Sequence, residues 1–420
     1  MRLTPTRPMR THVIVQEVRL MPARAAVEET TAPATPAPAT PAPATPAPAT
    51  PAPATTAAAA VDAADERPLV AHTKKYALEK LAPAALQTDR ERVSRDTIED
   101  LRGLGLLNHL APLEFGGAGL DRYADRRLHE LLAYADLNVW LIWAQHAPTV
   151  ARIAGTLNSE DGGSHPLVEP VLRGELLIGA ALSDVRRYPT GNLTARRSRD
   201  GWTVNGTVSW FSGWGLNEAA VLAAVDPESE QVILALVPID EHYRATPLAL
   251  QALSGSRTER VRILDVVVPD AYALAVKPLA EWQHSDNSTA GNAGSQFFGL
   301  GRRILDEIAG EPHGTGVAEA WLPYLHGLRA RAYELADAVL DGGDPDASLS
   351  ERLSLKVRAG EALTTLSRAL VVARAGRGLP ADNTAQLHAR SVLFLQVQGQ
   401  TRAERTAQLD AIANSVPRLA

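Results

Sequence analysis

The chain has 420 residues, room for two or three structural units and a sizeable buried core. Its 48 acidic and 42 basic residues are mixed along the chain without a long basic run, and the net charge of −6 argues against nucleic acid as a partner. The absence of cysteine removes disulfides, thiolate nucleophiles and Cys-ligated metals together.

The first segment is compositional. From Pro36 to Thr55 the pentapeptide Pro-Ala-Pro-Ala-Thr repeats, and the surrounding Ala/Thr/Pro/Glu tract lacks the large apolar residues needed to offset ordering entropy. Residues 1–68 therefore read as a disordered, polyproline-biased tail, with a tether or docking segment as the functional alternative. Met1 to Arg10 is basic, but Gln16, Glu17 and Arg19 interrupt the apolar core that an export signal needs. No stretch approaches the roughly 18 consecutive apolar residues of a membrane span, so a cytoplasmic protein with no membrane partner is expected.

Residues 69–176 predict an N-terminal α-helical domain, most clearly in the leucine spacing of Thr97 to Leu107 and Leu128 to Trp143. Residues 177–275 switch to short β runs: Leu177 to Leu182, Trp202 to Val204, Thr207 to Phe211, Ala219 to Val225, Val232 to Val237 and Arg260 to Val268. Asn205-Gly206 predicts a two-residue hairpin turn, since both residues tolerate positive φ. Residues 276–420 return to a helical bundle, with helices over Gln296 to Ile308, Ala318 to Leu340, Ser348 to Ala375 and Gln386 to Gln398. Helices, then a small central β-domain, then a bundle is an α+β order that a doubly wound sheet cannot have. The histidines show no metal-ligand spacing, and no metal is expected: His129, His284 and His313 stand alone.

Three ordered segments carry a resemblance. Ala181-Leu182-Ser183-Asp184, followed by Asn205-Gly206-Thr207-Val208-Ser209-Trp210-Phe211-Ser212, is similar to the Leu-Thr-Glu and Asn-Gly-x-Lys-x-Trp-Ile-Thr/Ser segments of the acyl-CoA dehydrogenase superfamily. Leu101 to Leu120, with Pro112-Leu113-Glu114-Phe115-Gly116-Gly117-Ala118-Gly119, resembles the family's helix end and Pro-Glu-x-Gly-Gly-x-Gly turn. Ser254 to Arg257, through Val266 to Pro269, is similar to the strand and Val-Pro exit that close its β-domain. The resemblance implies the family's fold, FAD or FMN in a cleft between the β-domain and the bundle, and a homodimer or homotetramer built through the bundle. It also implies a flavin-contacting set of Leu182, Ser183, Trp210, Phe211, Ser212, Gly376, Gly378 and Thr401. Arg186 and Arg187 replace the family's Gly-Ser-Asp and could hold substrate or pyrophosphate through guanidinium–phosphate pairing, or form a solvated loop.

The resemblance also exposes a gap. A dehydrogenase of this kind needs a carboxylate within hydrogen-bond reach of the α-proton of a thioester. Over the family's Tyr-Glu-Gly-Thr motif lies Gln398-Gly399-Gln400-Thr401, with Gly399 at the glutamate. Asp286, Asp306 and Glu307 near the start of the bundle are weak candidates for the base, Glu404 a weaker one on a helix expected to be exposed, and His146 a candidate for proton transfer or for a structural hydrogen bond. Three readings stay open. One is an acyl-CoA dehydrogenase-like flavoprotein oxidoreductase acting on a CH-CH group of an acyl thioester or similar small molecule. The second is a flavin-dependent monooxygenase of the same fold, served by a partner flavin reductase. The third is a flavin-free binding or assembly protein.

Overall fold

The computed structural model describes residues 56–156 and 165–416. The repeat segment lies outside the described residues, but helix begins inside the segment assigned to the tail. Helix α1 (Thr56–Ala63) has the alanine-rich sequence that most favours helix, and its Val61 is wholly buried. It is followed by α2 (Pro68–Tyr76), α3 (Ala82–Glu91), α4 (Arg95–Gly103), α5 (Arg122–Ala135), α6 (Leu137–Thr156) and the short α7 (Val168–Leu172). The N-termini carry the expected side-chain caps: the Ser94 hydroxyl accepts from the Thr97 N–H at 3.1 Å, and the Asp121 carboxylate from the Tyr123 and Ala124 N–H groups. The continuous helix predicted over Leu128 to Trp143 is in fact two. Asp136 is extended, and its carboxylate caps α6 through the N–H groups of Asn138 and Val139.

The sheet has eight strands: β1 (Ile178–Ala181), β2 (Leu193–Ser198), β3 (Gly201–Phe211), β4 (Ala219–Asp226), β5 (Gln231–Pro238), β6 (Tyr243–Pro247), β7 (Glu259–Pro269) and β8 (Ala273–Pro278). Their order is β6-β7-β3-β2-β4-β5-β8, with β1 parallel to β4 and β2 parallel to β4. Strand β4 is buried along its whole length, which is why Ala219 to Val225 reads as an unbroken apolar run rather than an alternation. One of its faces closes the sheet's own core with Phe211, Val261 and Ile263, and the other packs on α6 and α7 through Val150, Ile153 and Val171.

The hairpin expected at Asn205-Gly206 is not there. Strand β3 runs straight through the pair, and the turn lies at Arg199-Asp200, between the paired Ser198 and Gly201. Asn205 and Gly206 instead form an irregularity against β7, where the register shifts between Val204 and Gly206. The Asn205 amide donates to Asp265 Oδ1 and accepts from the Asp265 N–H, both at 2.9 Å, while Gly206 takes φ +142. Of the pair only Gly206 takes positive φ, and the extra residue of the bulge lies on β7, where Asp265 takes φ 52.

After the sheet come α8 (Leu279–Ala290), α9 (Ser295–Ala309), α10 (Thr315–Leu340), α11 (Leu349–Arg374), α12 (Thr384–Leu395) and α13 (Arg402–Asn414). Phe297, Phe298, Leu300, Ile304, Leu305 and Ile308 bury one face of α9 against α5, α10 and α11, so N-terminal and C-terminal helices share a single hydrophobic cluster. No described helix is long and apolar enough to cross a membrane.

Candidate active site

The end of β3 presents an indole to solvent. A second irregularity, between Val208 and Phe211, breaks the inward–outward alternation, leaving Trp210 53% exposed while Phe211 is wholly buried. The chain after β1 forms a 3-10 turn over Ser183–Arg187 that lies against this end of β3. Its buried Asp184 accepts from the Ser209 N–H at 2.7 Å, and Arg187 donates to the Ser209 hydroxyl at 2.5 Å. Ser183 is exposed on that turn and Leu182 is half-buried behind it. The Asp184–Ser209 bond thus joins the turn that carries the exposed Ser183 to the strand end that carries the exposed Trp210. Ser212 is not part of that open surface. Its hydroxyl is buried and shared with Thr258 at 2.8 Å, so β3 offers backbone there rather than a free side chain.

Arg186 and Asp286 were expected in separate roles and are found joined. The guanidinium holds the α8 carboxylate in a bidentate pair at 2.6 and 2.8 Å, so Arg186 is not a free phosphate receptor and Asp286 is not a free base. Behind them, Lys356 on α11 donates to Glu404 on α13 and to the Ala290 carbonyl that ends α8, both at 2.8 Å. Burial draws the Lys356 ammonium below the ordinary lysine value, against the pull of Glu404, and Arg186 adds to the lowering. Glu404, expected on an exposed helix, is completely buried with Oε1 unpartnered. Thr401 is buried as the cap of α13 and accepts from the Glu404 N–H, while the Glu404 carboxylate turns to Lys356 instead of back to the cap. An open groove of about 560 Å³ adjoins this cluster, lined by Asn287, Arg402, Ala403, Thr406, Ala407 and Asp410.

The other candidates lie elsewhere. Asp306 is tied to Arg302 and to the Tyr134 hydroxyl. For Glu307, burial pushes the carboxyl up, but His388, Thr384 and Arg303 outweigh it and hold it well below the usual carboxylate range. With Arg374 also bonded to it at 2.8 Å, Glu307 is a structural anion and not a base. Gly376 and Gly378 form the turn just after Arg374, at the far end of α11. At 1.5 Å per residue that is roughly 28 Å along the helix from Lys356, so within one chain they do not meet Thr401. His146 is wholly buried: Nε2 donates to the Leu107 carbonyl at 2.6 Å and Nδ1 accepts from the Ile178 N–H at 3.2 Å. Burial takes its pKa down to about 4, and with both nitrogens engaged it carries no proton in transit. At the position of the family's glutamate, Gly399 takes φ +64, a left-handed backbone that would strain a side-chain-bearing residue. Gln398 is bonded to Gln296, and Gln400 to Gln408.

The arrangement fits the ring of a flavin better than its phosphates. An exposed Trp210 and an exposed Ser183, on segments joined by the Asp184–Ser209 bond, suit a planar heteroaromatic with polar edges. The groups expected to meet phosphate are engaged, Arg186 with Asp286 and Arg187 with Ser209 and Asp184. Sequence reasoning missed Lys356 and the burial of Glu404. The spacing Thr401-x-x-Glu404 signals the cap, but nothing local signals a lysine from another helix.

Comparison with known proteins bears on these positions. Residues 63–159 match the family model described as acyl-CoA dehydrogenase, N-terminal domain. The chain is 24% identical over 366 residues to the human short-chain specific acyl-CoA dehydrogenase, mitochondrial, covering 80% of this chain and 87% of that protein. It is 23% identical to the mouse protein of the same name, with 79% and 86% covered. Among solved structures, butyryl-CoA dehydrogenase from Megasphaera elsdenii superposes with a TM-score of 0.69 at 15% identity, covering 82% of this chain and 97% of that one. KijD3 in complex with dTDP gives 0.67 at 19% identity, with 87% and 98% covered. At such identities the structural likeness speaks for the fold.

Proposed function

We propose that this member of the acyl-CoA dehydrogenase superfamily is a flavin-dependent oxidoreductase in which no side-chain carboxylate abstracts the substrate proton. What supports the reading is that Ser183 and Trp210 stay exposed while the candidates for the base are engaged: Gly399 has no carboxylate, Asp286, Asp306, Glu307 and Glu404 are ion-paired, and both nitrogens of His146 are hydrogen-bonded. Ser183, Trp210 and the backbone at Phe211-Ser212 would hold FAD, or FMN in its place, which supplies two-electron redox chemistry when bound. Trp210 would cover one face of the ring and exclude water from it, and Ser183 would orient a polar edge. A site without a base suits oxidation by molecular oxygen, with electrons delivered by a partner flavin reductase. Exposed Val372, Leu393, Leu409 and Ile412 on α11 to α13 support assembly into a homodimer or homotetramer through the bundle.

The second reading, dehydrogenation of an acyl thioester, is favoured by the coverage of the short-chain relatives over four fifths of this chain. Incubation with FAD or FMN followed by desalting and absorption spectroscopy tests the shared premise. Retained yellow colour that falls in Trp210→Ala by about fivefold or more is expected, since an aromatic contact contributes on the order of 1 kcal/mol beyond burial. Colourless protein ends both readings. Bleaching of bound flavin by butyryl-CoA without oxygen selects the dehydrogenase, and oxygen uptake that requires reduced flavin and substrate selects the oxygenase.

A further inference from the structure

Three arginines converge where the turn between α3 and α4 meets the loop that continues the ring-facing strand. Arg257 Nε donates to the Val93 carbonyl at 2.6 Å, and the Val93 N–H donates to the Gly255 carbonyl at 2.9 Å, so this turn is knotted to the segment before β7. The Gly213 and Trp214 N–H groups in turn donate to the Ser256 and Arg257 carbonyls, which fixes the loop after Ser212 to the same knot. Arg95 reaches over and donates to the Gly215 carbonyl at 3.1 Å. A Cβ built on Gly215 would lie 3.9 Å from Arg257 Nη1, so two guanidinium groups close on one glycine. Arg92 stands beside them, paired with Glu259 at 3.0 Å.

The charge there is not balanced. Arg92 has Glu259, while Arg95 shares Glu218 with Arg102 at 3.7 and 3.8 Å, and Arg102 also meets Glu99 at 3.3 Å. Among the described residues Arg257 has no ion pair, and neither of its terminal nitrogens has a hydrogen-bond partner. Its pKa is lowered first by burial and then by Arg92 and Arg95, which outweigh the opposing pull of Glu259. The backbone is strained at the same corner: Arg92, Leu253 and Arg257 take φ of 78, 51 and 51, in a region that residues with a side chain rarely occupy. Strain and uncompensated charge at one accessible corner mark a site built for something that supplies negative charge.

We infer that Arg257, flanked by Arg95 and Arg92 at Gly215, forms a receptor for a phosphate group on a small molecule bound along the loop that follows the ring-facing strand. The free fork of Arg257 matches two phosphate oxygens and Arg95 supplies a third donor from across the loop. That the molecule is substrate or cofactor rests on the flavin reading; the binding of phosphate does not.

Calorimetric titration of the full chain with inorganic pyrophosphate, at ionic strength matched with sodium chloride, tests the site. Saturable binding is expected in the wild type, weakened about tenfold or more in both Arg257→Gln and Arg95→Gln, because hydrogen bonds to charged groups are strong. Arg95 is more than half exposed, so its replacement keeps the test valid should Arg257→Gln fail to fold. Unchanged affinity in Arg95→Gln, or no saturable binding in the wild type, overturns the proposal. ADP and FMN as further ligands identify the source. Dependence on Arg257 for ADP assigns the phosphate to a nucleotide-bearing substrate, dependence for FMN assigns it to the cofactor, and dependence for neither overturns the site. Protein that binds pyrophosphate but no flavin keeps this receptor and loses the flavin reading, and the reverse result does the opposite.

Discussion

Asp136 caps α6 with one carboxylate oxygen and buries the other, Oδ2, without a partner. Burial pushes its pKa from 3.8 up to about 7, against the N–H groups of Asn138 and Val139. A carboxyl raised on folding contributes stability that is complete below its unfolded pKa and is lost as pH rises through the folded one. His146 has the opposite sign: lowered from 6.5 to about 4, it contributes stability above 6.5 that is lost as pH falls. Lowered pKa values at His129, His165 and His326 act in the same direction as His146. Between about pH 4 and 6.5 Asp136 therefore opposes the histidines and flattens the rise in wild-type stability. Asp136→Asn keeps an oxygen for the cap and removes the downward slope. Its stability should therefore rise from pH 4.5 to 6.5 more steeply than that of the wild type, by up to about 1 kcal/mol per pH unit. Urea denaturation at four pH values checks this, and parallel profiles would mean that Asp136 ionises normally. Neither group's state is readable in the sequence, because leucine spacing continues across Ala135 to Leu137 and hides the cap, and the partners of His146 come from Leu107 and Ile178.

Elements with a single local cause are legible in the sequence. The apolar runs of β4 and β5 and the 3.6-residue stripes of α9 to α12 appear where periodicity places them. Strands β2, β6 and β8 escape because their partners, not their own side chains, make them strands: Leu193–Ser198 carries two arginines and stays in the sheet between β3 and β4. Helix α13 shows the same limit, since a polar sequence concealed a buried acid whose partner, Lys356, lies on α11. This pair yields a prediction at the scale of the helix it anchors. Lys356→Met leaves Glu404 buried and uncompensated, and should cost about 3–5 kcal/mol, whereas the double variant Lys356→Met, Glu404→Leu should recover most of it. Urea unfolding of the three proteins reads the difference. If the double variant folds normally but loses turnover, the pair serves chemistry rather than the docking of α13.

On the scale of the whole molecule, helices from both ends of the chain share one hydrophobic cluster, and the sheet joins them in two ways. One is apolar, through β4 and β5 on α6 and α7. The other is polar, through Arg186 on the turn beside Trp210 and Asp286 on α8. The order of the layers was legible because helical and strand periods differ. The polar joint was not, because two charges 100 residues apart carry no sign of each other. A joint that only fixes the sheet against the bundle depends on opposite charge, not on which side bears which. Arg186→Ala should therefore lower stability by about 1–3 kcal/mol, since the partly buried Asp286 loses its partner, and should loosen flavin retention. The exchanged pair, Arg186→Asp with Asp286→Arg, should recover both thermal midpoint and flavin absorbance. A receptor arginine or a carboxylate base would behave otherwise, because an aspartate at 186 cannot hold phosphate and an arginine at 286 cannot accept a proton. Recovery of the thermal midpoint with turnover still absent would return Arg186 or Asp286 to the chemistry and remove them from the joint.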